Sequence, residues 1–428
     1  MAKRLAVLGG SKEVTVDIRE QWKRPVEEEK AAVCELIDQG QLSGSGSGVP
    51  RQFEEEFREF IGCRYVLATS HGHTALASAF FAAGLGPGDQ FIHPDIGYIG
   101  SYAGALHTGG TPVFCEVDPE TLLADPRDIE KRITPRTRVI NPIHHCGRVC
   151  DMDGLLGLCE RHGITLVEDA AHAHGSEWGG VRIGNLGHVA CFSLQGSVPG
   201  GKPVASGEGG VLATNDRELY ERALIYCHLH RGGAIEELTN PVYRRLEPQL
   251  LGWKWRAHPL ALAIARVELR TLPYRLERFA ANRDELVRRM RGLPGIRPVA
   301  TYPKARGTEL YGGLRFLYDP EALHGLDLGS FCKALAAEGV PVSAWGFHKP
   351  EHLRSLYTTD LPGLWGKGHA GPAGVPLPRY RQGDYPITEG LTSRVLRFPG
   401  WIEAAPGAIE QTAAAFSKVV EHHRELRE

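Results

Sequence analysis

The sequence lacks long apolar runs and any strong excess of charge. No stretch approaches the roughly 20 apolar residues that span a bilayer, and the apolar patch near the N-terminus is too short for a signal peptide. The 49 lysines and arginines nearly balance 51 aspartates and glutamates, so the formal net charge is −2. This balance gives no electrostatic case for binding nucleic acid or an anionic membrane.

The sequence also lacks a cysteine pattern. Its nine cysteines are scattered and odd in number, so we expect no disulfide framework and a reducing, cytoplasmic location. Cys146 and Cys150 lie close together in the chain, but no second pair at metal-ligand spacing joins them, and no metal site is predicted. No G-x-G-x-x-G fingerprint follows the first predicted strand, which argues against a nicotinamide-binding domain.

The sequence does contain short apolar runs that alternate with helical patterns. Strand-like runs such as Val66–Thr69 are separated by helices of about 10–15 residues, which predicts a mostly parallel sheet with helical crossovers. We predict an N-terminal segment at residues 1–50, a large domain at 51–272, and a linking helix with a small C-terminal domain at 273–428.

Three segments in the second half of the chain carry further expectations. The patterns at Pro259–Leu272 and Tyr274–Met290 predict two helices, of which the second links the domains. Residues 232–249 are predicted to form an irregular excursion over the surface. Residues 357–386 are rich in glycine, proline and tyrosine, and long loops of this kind are often functional.

The stretch from Gly163 to Gly210 carries the strongest chemical signal. One apolar run ends in Glu168-Asp169, a second run follows at Val189–Leu194, and the next loop carries Lys202. Such runs are typical of buried strands, and their ends meet at the sheet edge where α/β proteins bind ligands. An acid and a lysine so placed suit pyridoxal phosphate (PLP), because the lysine forms an imine and the acid pairs with the pyridinium nitrogen.

A phosphate site is needed to support this interpretation, because either residue alone has an ordinary structural explanation. The strand Val66–Thr69 runs into Ser70-His-Gly-His-Thr74 and then into an apolar helix. In this strand–turn–helix geometry, the free amides and the dipole at the helix start favour a phosphate.

In their order along the chain, these motifs resemble the StrS/DegT-like family of PLP-dependent aminotransferases of fold type I. The resemblance is strongest from about residue 50 to residue 270, and it is carried by His71-Gly-His-Thr74, Pro94-Asp-Ile-Gly-Tyr98, Cys146-Gly-Arg-Val-Cys-Asp-Met-Asp153, Glu168-Asp-Ala-Ala-His-Ala-His-Gly175 and Ser206-Gly-Glu-Gly-Gly210. It implies an α/β fold in which a large domain has a mostly parallel, seven-stranded sheet flanked by helices. A smaller α+β domain follows it.

The resemblance also implies a role for each matching residue. Lys202 is expected to hold PLP and to move the proton, Asp169 to pair with the pyridinium nitrogen, and His172 to lie against the ring. Tyr98 is expected to cover the opposite ring face. The residues implied at the phosphate are Gly72, His73, Thr74, Ser193 and, from a neighbouring subunit, Lys254.

The family resemblance further implies substrates and a partner. It implies glutamate or glutamine as amino donor and a keto-sugar or keto-cyclitol as acceptor. It also implies a homodimer with shared active sites, in which the two subunits contact each other through residues 232–256. The expected setting is secondary-metabolite or amino-sugar biosynthesis. Three features depart from the family pattern, namely the longer loop at Gly196–Gly201, His73 in place of Thr or Ser, and Lys254 in place of Asn.

Three other interpretations remain open. A dehydratase, epimerase or racemase of the same fold would use the same cofactor, although dehydratase relatives carry His at the lysine position, so Lys202 favours transamination. A metal-dependent hydrolase could use His172 and His174, but no third ligand set is apparent. A non-catalytic PLP-binding regulator could retain both Lys202 and Asp169.

Overall fold

The computed structural model describes residues 4–45, 48–246, 250–344, 349–359 and 368–426. Residues 247–249 of the predicted excursion and 360–367 of the predicted long loop lie outside this description. The described α-helices are α1 (Val26–Asp38), α2 (Val49–Ile61), α3 (Gly72–Ala82), α4 (Ala103–Thr108), α5 (Pro126–Arg132), α6 (Met152–His162), α7 (Arg217–Cys227), α8 (Ala234–Glu237), α9 (Pro241–Arg244), α10 (Pro259–Arg289), α11 (Leu328–Ala337), α12 (Ser355–Thr358), α13 (Pro386–Leu391) and α14 (Ala408–Glu421).

The described strands are β1 (Tyr65–Thr69), β2 (Gln90–Pro94), β3 (Thr111–Cys115), β4 (Thr137–Ile140), β5 (Thr165–Asp169), β6 (Glu177–Trp178), β7 (Val181–Arg182), β8 (Val189–Ser193), β9 (Gly210–Thr214), β10 (Ile296–Pro298), β11 (Ala305–Arg306), β12 (Leu314–Tyr318), β13 (Ser343–Ala344) and β14 (Val395–Phe398). Short 3-10 helices lie at Ala6–Leu8, Ile99–Ser101, His145–Gly147, Glu321–Leu323, Glu351–Leu353 and His423–Leu426.

A seven-stranded sheet dominates the described part of the chain, in the order β1-β9-β8-β5-β4-β2-β3. The pairs from β8 to β3 are parallel, whereas β9 runs antiparallel to both of its neighbours. Apolar side chains fill both faces, because successive residues of a strand point to opposite sides. Leu166 joins the core that includes residues of α2, α6 and α10, whereas Val167 joins the core with α3, α4 and α7. The predicted α/β fold class is confirmed.

A second sheet is built from the C-terminal part of the chain. Its four described strands are antiparallel in the order β10-β12-β14-β13, and α11 and α14 supply residues to its core. A three-stranded sheet, β11-β6-β7, joins C-terminal residues to the large domain. The N-terminal segment contributes to two cores, because Leu5 and Val14 pack with the C-terminal strands while Leu36 packs with α2 and α10.

One long helix, α10, connects the two sheets. We predicted two helices on either side of residue 273, and this prediction is wrong, since α10 is continuous with Pro273 inside it. A proline in a helix interior loses one hydrogen bond and costs about 3 kcal/mol. The half of α10 before the proline shares a core with α1 and α2 and buries Leu272, and the half after it shares a core with α14 and buries Phe279, which compensates for this cost. The predicted domain boundary at 272/273 therefore falls within this helix and stays a prediction.

None of the helices in the described part of the chain combines the length and the apolar character that crossing a bilayer requires.

Candidate active site

A cavity of about 600 Å³ lies where the parallel strands of the large sheet end. Its wall brings together seven of the nine residues that the family resemblance implied. They are Gly72, His73, Tyr98, Asp169, His172, Ser193 and Lys202. Thr74 and Lys254 are not part of the wall.

The alternation of side chains along β5 decides which acid of the Glu168-Asp169 pair enters the cavity. Asp169 is buried in the wall, where its Oδ1 accepts a hydrogen bond of 2.9 Å from the amide of Ala171. Glu168 points to the other face of the sheet, where its Oε2 lies 2.9 Å from Nε2 of the fully buried His144. Only Asp169 is therefore available to a ligand.

The start of α3 forms an anion-binding cradle against the end of β8. A Cβ atom on Gly72 would lie 2.8 Å from Cβ of Ser193, so only glycine fits there. The first amides of a helix have no intrahelical acceptor, and the dipole favours negative charge. The Thr74 hydroxyl is engaged within the turn, since it accepts from the His71 amide at 3.1 Å and donates to the His71 carbonyl at 2.8 Å. A phosphate contact of Thr74 stays a prediction.

Lys202 is a buried cation without a carboxylate partner. It is 9% exposed, and among the described residues its Nζ forms no hydrogen bond or ion pair. Burial lowers the pKa of Lys202 to about 8, and the negative charge of Asp169 only partly opposes this shift. By contrast, the buried Lys418 forms an ion pair of 2.8 Å with Glu338. An unpaired buried lysine is costly, and groups with such perturbed pKa values cluster at functional sites.

His172 and Tyr311 form the wall next to Lys202. The Nδ1 atom of His172 accepts a hydrogen bond of 3.1 Å from the amide of Cys146, and the His172 ring lies 4.3 Å from the Tyr311 ring. Burial lowers the pKa of His172 well below its usual value, with the charge of Lys202 acting in the same direction, so the imidazole is neutral. The Lys202 Nζ lies 3.7 Å from the centroid of the Tyr311 ring.

Sequence reasoning missed Tyr311, His145 and Gln195, which all line the cavity. Tyr311 precedes the strand β12 of the second sheet, far along the chain from the motifs that identified the site, and no local pattern marks it. His145 does have a usable signal, because it directly precedes the Cys146 motif.

The remaining predicted residues lie near the cavity mouth or outside it. Tyr98 is 60% exposed, with its ring 6.0 Å from the ring of His73. Lys254 is exposed on the segment that follows the excursion and forms an isolated backbone bridge with His228. Its contribution to the site of a neighbouring subunit stays a prediction.

The residues of the wall fit PLP. The cradle at Gly72 suits a phosphate, the buried Asp169 suits a pyridinium nitrogen, and the unpaired Lys202 suits covalent attachment. The described residues contain no group of three or more His, Cys, Asp or Glu side chains placed to hold a metal ion. The two histidines of the open hydrolase interpretation also face different surroundings, because His174 is buried with its ring 5.1 Å from that of Phe192.

The fold and the site define a PLP-dependent aminotransferase, and comparison with known proteins agrees. The model of the DegT/DnrJ/EryC1/StrS aminotransferase family matches residues 24–363. An L-glutamine:2-deoxy-scyllo-inosose aminotransferase of Streptomyces fradiae is 32% identical over 95% of both chains. A GDP-perosamine synthase of Caulobacter vibrioides is 34% identical over 60% of this chain and 65% of its own.

A solved structure of an enzyme with a similar fold supports the same family. The X-ray crystal structure of S. venezuelae DesV in complex with a ketimine intermediate superposes with a TM-score of 0.75 at 28% identity, covering 92% of this chain and 95% of that one. The chain therefore belongs to the DegT/DnrJ/EryC1/StrS aminotransferase family. The metal-hydrolase and non-catalytic interpretations are replaced by this assignment.

Proposed function

We propose that this enzyme transfers the α-amino group of glutamine or glutamate to a free keto-cyclitol. The observation that carries the proposal is the unpaired, buried Lys202 in one cavity with Asp169 and the cradle at Gly72. When bound there, PLP supplies an electron sink for the carbon that loses a proton.

The side chains of the wall then have distinct tasks. The amine of Lys202, with a pKa of about 8, can hold and release a proton near neutral pH, as a general base and acid must. The Asp169 carboxylate keeps a proton on the pyridinium nitrogen. The amides of Gly72 and His73 and the hydroxyl of Ser193, all in the cavity wall, would hold the phosphate, and Tyr98 and His172 would enclose the ring.

Two arginines that lie beside the cavity wall, without being part of it, would supply positive charge for the carboxylate of the amino donor. Arg315 and Arg397 face each other in the register of β12 and β14, and like charges placed directly opposite are destabilising. Both donate to the carbonyl of Gly312, next to Tyr311 in the cavity wall. Among the described residues, the hydrogen bonds of both guanidinium groups go to backbone carbonyls of residues 312–314, and the buried Arg315 keeps its Nε without a partner. An α-carboxylate near the exposed Arg397 would relieve this repulsion.

The acceptor class is inferred from the relatives that match over nearly the whole chain. Those at 95% coverage of both chains carry names that specify 2-deoxy-scyllo-inosose, whereas the relative named for a GDP-linked sugar matches over 60% of this chain. We therefore favour an unattached cyclitol ring in aminocyclitol biosynthesis. A cytoplasmic location is supported by the described cysteines, all of which are free.

We further infer a homodimer that contacts through residues 232–256. Large apolar side chains are exposed there, with Val242 at 63%, Leu251 at 43% and Trp253 at 50%. Exposed apolar patches of this kind mark interaction surfaces. Lys254 follows Trp253 directly, so the same surface could bring Lys254 to the phosphate of the partner's cofactor.

The experiment that tests this function compares acceptors under one set of conditions. The PLP-loaded enzyme is supplied with glutamine and either 2-deoxy-scyllo-inosose or a nucleotide-linked keto-sugar, and the amine product is measured by mass spectrometry. We expect kcat/KM to be at least about 100-fold higher for the free cyclitol. The reverse preference would overturn the acceptor class but leave transamination intact. Product formation from neither acceptor class would overturn the proposed function.

A further inference from the structure

Among the residues that the structure describes, the ammonium group of Lys202 lies against an aromatic ring face, that of Tyr311. Its Nζ lies 3.7 Å from the centroid of the Tyr311 ring, inside the range in which a cation is attracted to an aromatic face. No described carboxylate forms an ion pair with it, and the side chain is 9% exposed. A buried cation needs compensation, and the Tyr311 ring face gives it at close range, in addition to the longer-range attraction of Asp169.

The position of Tyr311 is held from the second sheet. Gly312 and Gly313 follow it with φ angles of 81° and 73°, a left-handed conformation that favours glycine. A Cβ atom on Gly313 would lie 2.3 Å from the carbonyl oxygen of Phe398, so the turn is packed tightly against β14. The Nε of Arg397 donates to the Gly312 carbonyl at 2.8 Å. The backbone next to Tyr311 is therefore held by contacts that do not involve Lys202.

Tyr311 also contacts residues of the large domain. The Tyr311 ring is 4.3 Å from the ring of His172, which in turn accepts a hydrogen bond from the Cys146 amide. Gly312 also contacts this segment, because a Cβ atom on it would lie 3.0 Å from Sγ of Cys146. Tyr311 thus joins a loop of the second sheet to the residues beside Lys202.

We propose that Tyr311 is a positioning residue for Lys202, whose ammonium it holds against its ring face whenever the lysine is not bound to the cofactor. The inference rests on the proposed role of Lys202 in the reaction. The ring face, rather than the phenolic hydroxyl, provides the attraction. Tyr311 therefore keeps the amine inside the cavity and favours its protonated form.

The test measures the protonation of Lys202 directly, without substrate or turnover. The full-length chain freed of PLP is trace-labelled with acetic anhydride from pH 6 to pH 10, and labelling of Lys202 is quantified by mass spectrometry. Because only the neutral amine reacts, the rate relative to its high-pH plateau reports the neutral fraction. Loss of the ring attraction should raise that fraction at pH 6 about three- to ten-fold in Tyr311→Leu. Tyr311→Phe should match the unchanged protein.

Two further variants make the outcome decisive. Trifluorophenylalanine at position 311 keeps the ring shape but weakens its negative face, so it should shift labelling in the same direction as Tyr311→Leu even if the leucine variant folds poorly. Tyr302→Leu removes a tyrosine of the same region that does not line the cavity and should leave the labelling of Lys202 unchanged. Unaltered labelling in the fluorinated variant, or an equal shift in Tyr311→Phe, would overturn the proposal. Failure of the proposed function would appear separately, as full activity in Lys202→Ala.

Discussion

Some residues of the site could be predicted from the sequence, and others could not. Asp169 ends the buried strand β5 and Lys202 lies on the loop after the buried strand β8, so their meeting at one sheet edge could be predicted from the strand pattern. Tyr311 could not, because its place beside Lys202 depends on how β12 and β14 pack against the large domain. That Arg315 lies opposite Arg397 could not be predicted from the sequence either, because strand register is a property of the folded sheet.

Arg397 gives a prediction at this scale. Changing Arg397→Gln removes the charge but leaves an amide that can still donate to the Gly312 carbonyl. A charged hydrogen bond is worth about 1.5–3 kcal/mol, so KM for the amino donor should rise about 10- to 100-fold while KM for the acceptor stays the same. Steady-state kinetics with each substrate varied in turn gives both values.

The matched control is Arg394→Gln, which removes an exposed arginine just before β14, whereas the Arg397 guanidinium bonds the Gly312 carbonyl beside the cavity wall. It should leave both KM values unchanged. An equal rise in acceptor KM in Arg397→Gln would contradict a specific role in binding the donor carboxylate.

At the scale of elements, the junction of α3 with β8 is the cradle that we propose for the phosphate. Gly72→Ala places a Cβ atom 2.8 Å from Cβ of Ser193 and must push the helix start away from the strand. Overpacking of this kind costs about 1–3 kcal/mol, so we expect the Kd for PLP to rise about 10- to 100-fold. Fluorescence titration of the PLP-free protein measures it.

Gly86→Ala is the control for this change, because nothing lies within 4 Å of a Cβ atom built there. Its Kd for PLP should equal that of the unchanged protein. Tight PLP binding by Gly72→Ala would mean that the phosphate lies elsewhere.

At the scale of elements, the continuity of α10 through Pro273 could not be predicted from the sequence. Its pattern is helical on both sides of Pro273, and local rules end a helix before a proline. The continuous helix exists because its two halves are buried against different partners, α1 and α2 on one side and α14 on the other. Such tertiary packing outweighs local propensity but leaves no local signal in the sequence.

For the whole molecule, the alternation of strands and helices was sufficient to predict the α/β class with a mostly parallel sheet, and the family resemblance implied its seven strands. It could not show that Leu5 and Val14 pack into the core of the C-terminal strands, because that contact joins opposite ends of the chain. The sequence also could not show that large apolar side chains near Trp253 are exposed, and we propose that a second copy of the chain covers them.

Mixing two inactive variants tests the shared site. If each subunit's Lys254 completes its partner's phosphate site, as we propose, Lys254→Ala loses activity. After subunit exchange with Lys202→Ala, half of the dimers are mixed and each has one intact site, so activity should recover to about a quarter of the unmutated level. No recovery would place Lys254 in its own subunit's site, and full activity of Lys254→Ala alone would remove its role.

The most direct test of the central claim follows the nitrogen atom from donor to acceptor. The PLP-loaded enzyme is incubated with 2-deoxy-scyllo-inosose and glutamine labelled with ¹⁵N at either the α-amino or the amide position. Mass spectrometry should find ¹⁵N in the cyclitol amine from the α-labelled donor alone, and no amine with Lys202→Ala. Label arriving from the amide position, or amine formed without Lys202, would contradict transamination at this site.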